Sequence, residues 1–251
     1  MLAKVHDGSR HLRRDFPTRA LVARRCRSAR RLDLHGALLI RCATLRSVET
    51  GSGISMRVVA GELRGRRLVS AAGRETRPTS ERARAGLFDW LGPRVADARV
   101  LDLFAGSGAL GIEALSRGAR EAVFVERSRA ALRALRTNLE ELGVAGRGEV
   151  VERDLARGLG ARVVEGPAFD LVLADPPYGG GWLARLLGCE TLPRLLNPDA
   201  VVIAERSTRG AAEPETGRLR LRGTKSYGET AFDWYDNTAP DEGAERGRAE
   251  E

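Results

Sequence analysis

The sequence predicts an α/β fold, a doubly wound and mostly parallel sheet of seven strands preceded by a small hairpin and helix. Two observations carry that expectation. From about residue 98 to 206, short apolar or β-rich runs alternate with helical patterns, which argues for parallel strands with helices on both faces. A final pair of strand-like segments then closes the chain around Gly228.

The elements follow in order. "MRVVAGELRGRRLVS", from Met56, reads as a hairpin with Gly61 and Gly65 at its turns. "RPTSERARAGLFDWLG" reads as a helix capped by Thr79 or Ser80, with Ala83, Leu87 and Leu91 on one face and Gly92 as its stop. "ARVLDLF", "EAVFVE", "GEVVERD", "FDLVLAD" and "AVVIAER" are the strands of the alternating region, and "SRAALRALRTNLEELG" is its clearest helix. Residues 218 to 236 form the closing hairpin. The chain thus divides into residues 1–55, an Arg-rich extension expected to be disordered; 56–92, a basic hairpin and helix; 93–239, the α/β core; and 240–251, an acidic tail.

Charge and rare residues exclude several kinds of chemistry. The net charge of +8 lies wholly in residues 1–50, which hold 12 Lys/Arg against 4 Asp/Glu, while the remaining residues balance at 30 against 30. All three histidines, His6, His11 and His35, fall in that extension. The folded part therefore has no histidine base and no Ser-His-Asp or Cys-His arrangement. Cys26, Cys42 and Cys189 make no C-x-x-C pair, so neither disulfides nor a metal site is expected. No run of about eighteen apolar residues is present to cross a membrane, and a soluble, cytoplasmic protein is expected. Whatever chemistry occurs must use carboxylates, backbone groups or a cofactor.

Ligands of such sheets sit beyond the carboxyl ends of the strands, and three motifs stand there. In "LDLFAGSGALG", Gly106, Gly108 and Gly111 fit G-x-G-x-x-G, a tight turn that lets a ligand approach the backbone at a helix amino end. The pattern does not separate a dinucleotide from another adenosine-containing cofactor. Glu126 ends the next strand, where an acid can accept from both ribose hydroxyls; otherwise it is a solvated strand end. Asp154, ending the third strand, faces an adenine amino group or caps the segment that follows. The third motif is "ADPPYGG". Neither Pro176 nor Pro177 can donate to a ladder, so the strand must end at Asp175. The stiff prolines then aim the Asp175 carboxylate and the Pro176 carbonyl, two acceptors suited to an exocyclic amino group, while Tyr178 stacks on the heterocycle.

These residues carry a resemblance. "ADPPYGG" after "LDLFAGSGALG" resembles the Asp/Asn-Pro-Pro-aromatic signature of S-adenosylmethionine-dependent amino methyltransferases. "RVVAGELRGRRL", "RPTSERARAGLFDWL" and "SYGETAFDWY" resemble the opening and closing segments of the RsmD-type bacterial 16S rRNA guanine-N2 methyltransferases, from about Met56 to Asp236. The resemblance implies a class I methyltransferase sheet with one reversed strand near its edge. It implies S-adenosylmethionine on Gly106, Ser107 and Gly108, with its ribose on Glu126 and its adenine near Asp154. Asp102 and Phe104 are grouped with these cofactor-binding residues, and Arg77 and Thr79 with the cofactor's methionine end or the substrate. Asp175, Pro176, Pro177 and Tyr178 become the catalytic residues, and the partner becomes 16S rRNA or an assembling small ribosomal subunit, met by a monomer.

RNA contact needs local positive charge. Residues 57–84 hold eight arginines (57, 64, 66, 67, 74, 77, 82 and 84) against three acids, and Arg57, Arg64, Arg66, Arg67 and Arg82 are the expected phosphate contacts. A solvated charged face is the alternative, since 40 arginines against two lysines reflect GC-rich coding. Rival functions are a DNA or protein-glutamine amino methyltransferase sharing "DPPY", a nicotinamide oxidoreductase that leaves "DPPY" without a purpose, and a non-catalytic RNA-binding module. Cytosine C5 methylation is disfavoured because it needs a cysteine at a strand end, whereas Cys189 is expected in a helix. Residues 1–55 read as an organelle transit peptide, a basic RNA-binding tail or translation from a false upstream start. GC-rich coding, in which frames stay open by chance, favours the last.

Overall fold

The structure, a computed structural model, describes residues 56–70, 79–177, 180–213 and 218–237. The expectations for residues 1–55 and 240–251, and for Arg74, Arg77 and Tyr178, lie outside them. Strands β1 (Met56–Arg57) and β2 (Arg67–Leu68) pair antiparallel as the expected hairpin. Helix α1 (Glu81–Leu91) follows. Then come β3 (Arg99–Leu103), α2 (Ala109–Ser116), β4 (Glu121–Glu126), α3 (Arg129–Glu141) and β5 (Gly148–Glu152). The short α4 (Ala161–Val164) leads to β6 (Phe169–Ala174), α5 (Trp182–Leu187), α6 (Thr191–Arg194) and β7 (Leu196–Ser207). The closing hairpin is β8 (Leu219–Tyr227) and β9 (Thr230–Asn237). Among the described residues, no helix is long and apolar enough to cross a membrane.

Seven strands form one sheet in the order β5-β4-β3-β6-β7-β9-β8, with β9 antiparallel to both its neighbours. The parallel strands are apolar on both faces because both are covered. Val100, Leu171, Leu173, Val201 and Ile203 face the first hairpin, α1, α2 and α3. Leu101, Leu103, Val172 and Val202 face Leu183, Leu186, Leu187 and Leu192 on the other side.

Several local expectations are refined. Ser80 is the residue that caps α1, its side chain accepting from Ala83 N at 3.1 Å, and Thr79 is thereby left for another partner. β6 ends at Ala174, one residue before the expected Asp175. β7 begins at Leu196 rather than Ala200, because the ladder to β6 shifts register between Phe169 and Leu171 and that irregularity admits Pro198. Cys189 lies in the turn between α5 and α6 and not in a helix.

The first hairpin is docked by buried polar groups. Glu113 on α2 accepts from Val59 N at 2.8 Å and Ala60 N at 3.0 Å, and pairs with Arg84 Nε at 3.4 Å. Both side chains of that pair are fully buried. Arg84 therefore leaves the set of arginines that the charge count offered to phosphate, since it carries the hairpin instead: its Nη2 donates to the Arg57 carbonyl. Burial holds its pKa below the usual arginine value despite Glu113. Next to this pair, Glu62 N donates to the Ser116 carbonyl at 2.8 Å and Leu63 N to Ser116 Oγ at 3.0 Å.

Gly61 makes that approach feasible. Its φ is +83°, and a Cβ there would lie 1.9 Å from the Ser116 carbonyl oxygen. Gly61→Ala is expected to lower stability by at least about 1–2 kcal/mol from the left-handed backbone alone, with a further cost from the clash. Urea denaturation should show an earlier midpoint, and limited proteolysis should cut residues 56–70 first. An unchanged midpoint would show that the hairpin does not depend on this contact.

Candidate active site

The functional elements meet where the sheet changes winding direction. β3 pairs with β4 on one side and β6 on the other, and Leu103 stands in register with Ala174. The segments after β3 and β6 therefore leave the sheet side by side, opening the crevice in which such folds take ligands.

The first segment is a strained turn. Phe104, Gly106 and Gly108 have φ values of 59°, 59° and 86°, and Phe104 holds this conformation without being a glycine, which marks stored strain. Its ring meets Trp182 edge-on at 5.5 Å. Three buried side chains hold the turn. Glu126 Oε2 accepts from Gly106 N at 2.8 Å, while its Oε1 accepts from Arg127 N and Ser128 N at 2.8 and 2.7 Å. Asp102 Oδ2 accepts from Gly111 N at 2.9 Å. Asn138 Nδ2 donates to the Ser107 carbonyl at 2.9 Å.

Glu126 is thus no solvated strand end: it is only 3% exposed and is built into the turn. Asp102 was grouped with the cofactor-binding residues, but its carboxyl points beneath the turn and is spent on Gly111. Burial pushes its pKa up to about 8, with the charges of Asp175 and Glu126 adding to that rise against the Gly111 N–H. Asp154 lies two residues beyond β5 rather than ending it, and it caps the turn Leu155–Arg157 by accepting from Ala156 N at 3.0 Å. That N–H, followed by Arg127 at 3.2 Å, holds its pKa below the usual carboxylate range.

The second segment begins with Asp175, half-buried, then Pro176, buried, and Pro177, half-buried. Asp175 N donates to the Leu103 carbonyl at 3.4 Å, tying this segment to the strand that feeds the turn. Thr79 resolves to the same side of the crevice: its hydroxyl donates to Glu205 Oε2 at 2.6 Å. Glu205 is 3% exposed on β7, and the pairing of Ala174 with Ala204 sets it beside Asp175 at the next strand. Burial first, and then the charge of Asp175, raises its pKa well above the carboxylate range.

Glu205 and Asn138 escaped the sequence reading, although each left a signal. "AVVIAER" carries an acid, Glu205, straight after its apolar run as "EAVFVE" does, and Asn138 interrupts the apolar stripe Leu132, Leu135, Leu139 of α3. Arg57, Arg64, Arg66, Arg67 and Arg82 are all exposed as expected, and Arg66 Nη2 donates to the Glu141 carbonyl at 2.7 Å. Val69, just beyond β2, exchanges bonds with Asn138, so the arginine-bearing hairpin ends against the glycine turn.

A sheet in this order, with a glycine turn after its third-from-edge strand and Asp-Pro-Pro after the adjacent one, is the class I methyltransferase fold. Residues 56–236 match the model of the family described as conserved hypothetical protein 95, and the chain belongs to that family. Ribosomal RNA small subunit methyltransferase D of Escherichia coli (strain K12) is 35% identical over 193 residues, which are 77% of this chain and 95% of the relative. The Bacillus subtilis protein YlbH is 38% identical over 181 residues, 72% of this chain and 98% of its own. Among solved structures, yhhF of Escherichia coli superposes with a TM-score of 0.64 at 34% identity, covering 74% of this chain and 99% of that one.

The raised pKa of Asp102 has a consequence for stability. A carboxyl whose folded pKa of about 8 exceeds its ordinary value of 3.8 binds its proton more tightly when folded. Its contribution is full below about pH 4 and is lost as pH rises through about 8. Asp102→Asn keeps an oxygen for Gly111 and removes the titration. Urea denaturation between pH 4 and 8 should show the parent losing stability relative to the variant as pH rises. Parallel curves would show that Asp102 is not protonated in the fold.

Proposed function

We propose that this chain transfers a methyl group from S-adenosylmethionine to the exocyclic N2 amino group of a guanine in 16S rRNA. The observation that carries the reading is the pairing of Leu103 with Ala174, which brings the strained glycine turn and Asp175-Pro176 out of the sheet together. The small-subunit rRNA methyltransferases among the relatives support the RNA substrate.

The charges at the edge favour this cofactor over a nicotinamide dinucleotide. The Glu126 carboxyl ends β4 and the Asp175 carboxyl follows β6, and negative charge at those two strand ends disfavours a pyrophosphate and suits a sulfonium cation. Gly106, Ser107 and Gly108 would hold the methionine part, Glu126 the ribose and Asp154 the adenine, with Phe104 at the turn's strained start. When bound, the cofactor supplies an electrophilic methyl on a good leaving group, so the protein needs to supply alignment rather than a strong base.

Asp175 does most of what remains. A guanine N2 lone pair is delocalised into the ring. The Asp175 carboxylate and the Pro176 carbonyl accept its N–H bonds, favouring a tetrahedral nitrogen and stabilising the positive charge that grows there. Pro177 stiffens the segment, and Tyr178 stacks on the base. Burial and the charge of Asp175 disfavour ionisation of Glu205, whose carboxyl holds the Thr79 hydroxyl. Arg57, Arg64, Arg66, Arg67 and Arg82 hold RNA phosphates, and Arg77 and Thr79 serve the cofactor's methionine end or the substrate. We further propose a cytoplasmic monomer that uses no metal.

Asp175→Ala should leave cofactor affinity nearly unchanged while methyl transfer falls about a hundredfold, roughly 3 kcal/mol for one lost preorganised acceptor. Glu205→Gln, which copies the protonated acid, should keep transfer at pH 7 within a few-fold of the parent. Cofactor titration and labelled-methyl transfer on the same preparations read both. Near-parental turnover in Asp175→Ala would remove Asp175 from the reaction.

A further inference from the structure

Asn138 joins two regions that the proposed reaction must bring together. Its side chain is 1% exposed on α3, inside the apolar stripe of that helix. Oδ1 accepts from Val69 N at 2.7 Å, and Nδ2 donates to the Val69 carbonyl at 3.0 Å and to the Ser107 carbonyl at 2.9 Å. An amide has two N–H bonds to give, and here one goes to the hairpin and the other to the glycine turn. Val69 follows β2, which carries Arg67. Ser107 sits between the two left-handed glycines of the turn.

The chemistry at this point is specific. An aspartate could still accept from Val69 N but would set a negative carboxylate against two carbonyl oxygens. A leucine of similar size would leave three part-buried backbone groups without the amide. Asp102 accepts from Gly111 N and Glu126 from Gly106, Arg127 and Ser128 N, whereas Asn138 bonds both the turn and the hairpin.

We propose that Asn138 is a positioning residue that couples RNA binding on the hairpin to cofactor binding on the glycine turn, an inference that rests on the function proposed above. A ligand that orders the turn around Ser107 fixes the amide. The fixed amide fixes Val69 and the end of β2, so the second ligand meets a hairpin already set. Linkage makes the effect reciprocal: RNA tightens cofactor binding by the factor by which the cofactor tightens RNA binding.

The test uses the full chain, S-adenosylhomocysteine as a non-reactive cofactor and 16S rRNA transcribed in vitro. RNA affinity is measured with and without saturating S-adenosylhomocysteine. The parent should bind RNA about fivefold or more tightly with it, the usual lower range of such coupling. In Asn138→Asp the ratio should fall to about one. Val69→Pro guards against a misfolded Asn138 variant: it removes the N–H given by the hairpin and fixes the local backbone while leaving the Asn138 side chain in place, at a position that is 44% exposed. It should lose the coupling while binding S-adenosylhomocysteine alone as the parent does, a separation that general loosening of the fold would not produce. A parental ratio near one, or a ratio that survives in both variants, would overturn the coupling and leave the proposed function standing. A parent that binds no S-adenosylhomocysteine would overturn both.

Discussion

The turn after β3 is the constraint on which the site depends. Within five residues the backbone enters the left-handed region at Phe104, Gly106 and Gly108, and such geometry persists only where its surroundings impose it. Three buried polar side chains impose it from three elements: Asp102 from beneath, Glu126 from the neighbouring strand and Asn138 from the helix above. Each takes a backbone group of the turn or of the first residues of α2. These braces give the crevice its shape and reduce the ordering that a ligand must add on binding.

The same economy of buried polar groups runs through the hairpin. A neutral core would have been easier to build than Arg84 against Glu113, because desolvating both costs much of what their attraction returns. What the pair provides is placement. Glu113 holds Val59 and Ala60, Arg84 holds the Arg57 carbonyl, and Asn138 holds Val69, so both strands of a hairpin with two-residue ladders are fixed to the core by side chains. That leaves the hairpin's exposed arginines on a rigid mount. Phosphate contacts set the register of a nucleic acid rather than read its sequence, and a mount that moved would not present one base to Asp175.

Much of this was legible in the sequence, and the remainder was hidden for physical reasons. The strand segments and the end of α1 follow from apolar runs stopped by Pro176 and Gly92, since burial on both faces leaves continuous apolar strands, whereas the order of the strands in the sheet is seen only in the structure. The acids at Glu126 and Asp175 were found because strand ends are where ligands sit. Their partners were not, because a hydrogen bond between residues far apart in the chain leaves no spacing to read. Thr79 with Glu205 spans 126 positions, and Val69 with Asn138 spans 69. Arg84 misled a count of charges for the same reason: composition cannot tell a buried arginine from its exposed neighbour Arg82. In hindsight, the polar residue on an apolar helix stripe was the available clue, both for Arg84 among Ala83, Leu87 and Leu91 and for Asn138.

The atom that receives the methyl group decides whether Asp175 and Pro176 act on a guanine amino group. The full chain, supplied with methyl-labelled S-adenosylmethionine and small-subunit rRNA lacking modification, should label the RNA, and digestion to nucleosides should recover the label as N2-methylguanosine. Label recovered on an adenine, on cytosine C5 or in protein would contradict the assignment of Asp175 and Pro176 to a guanine amino group.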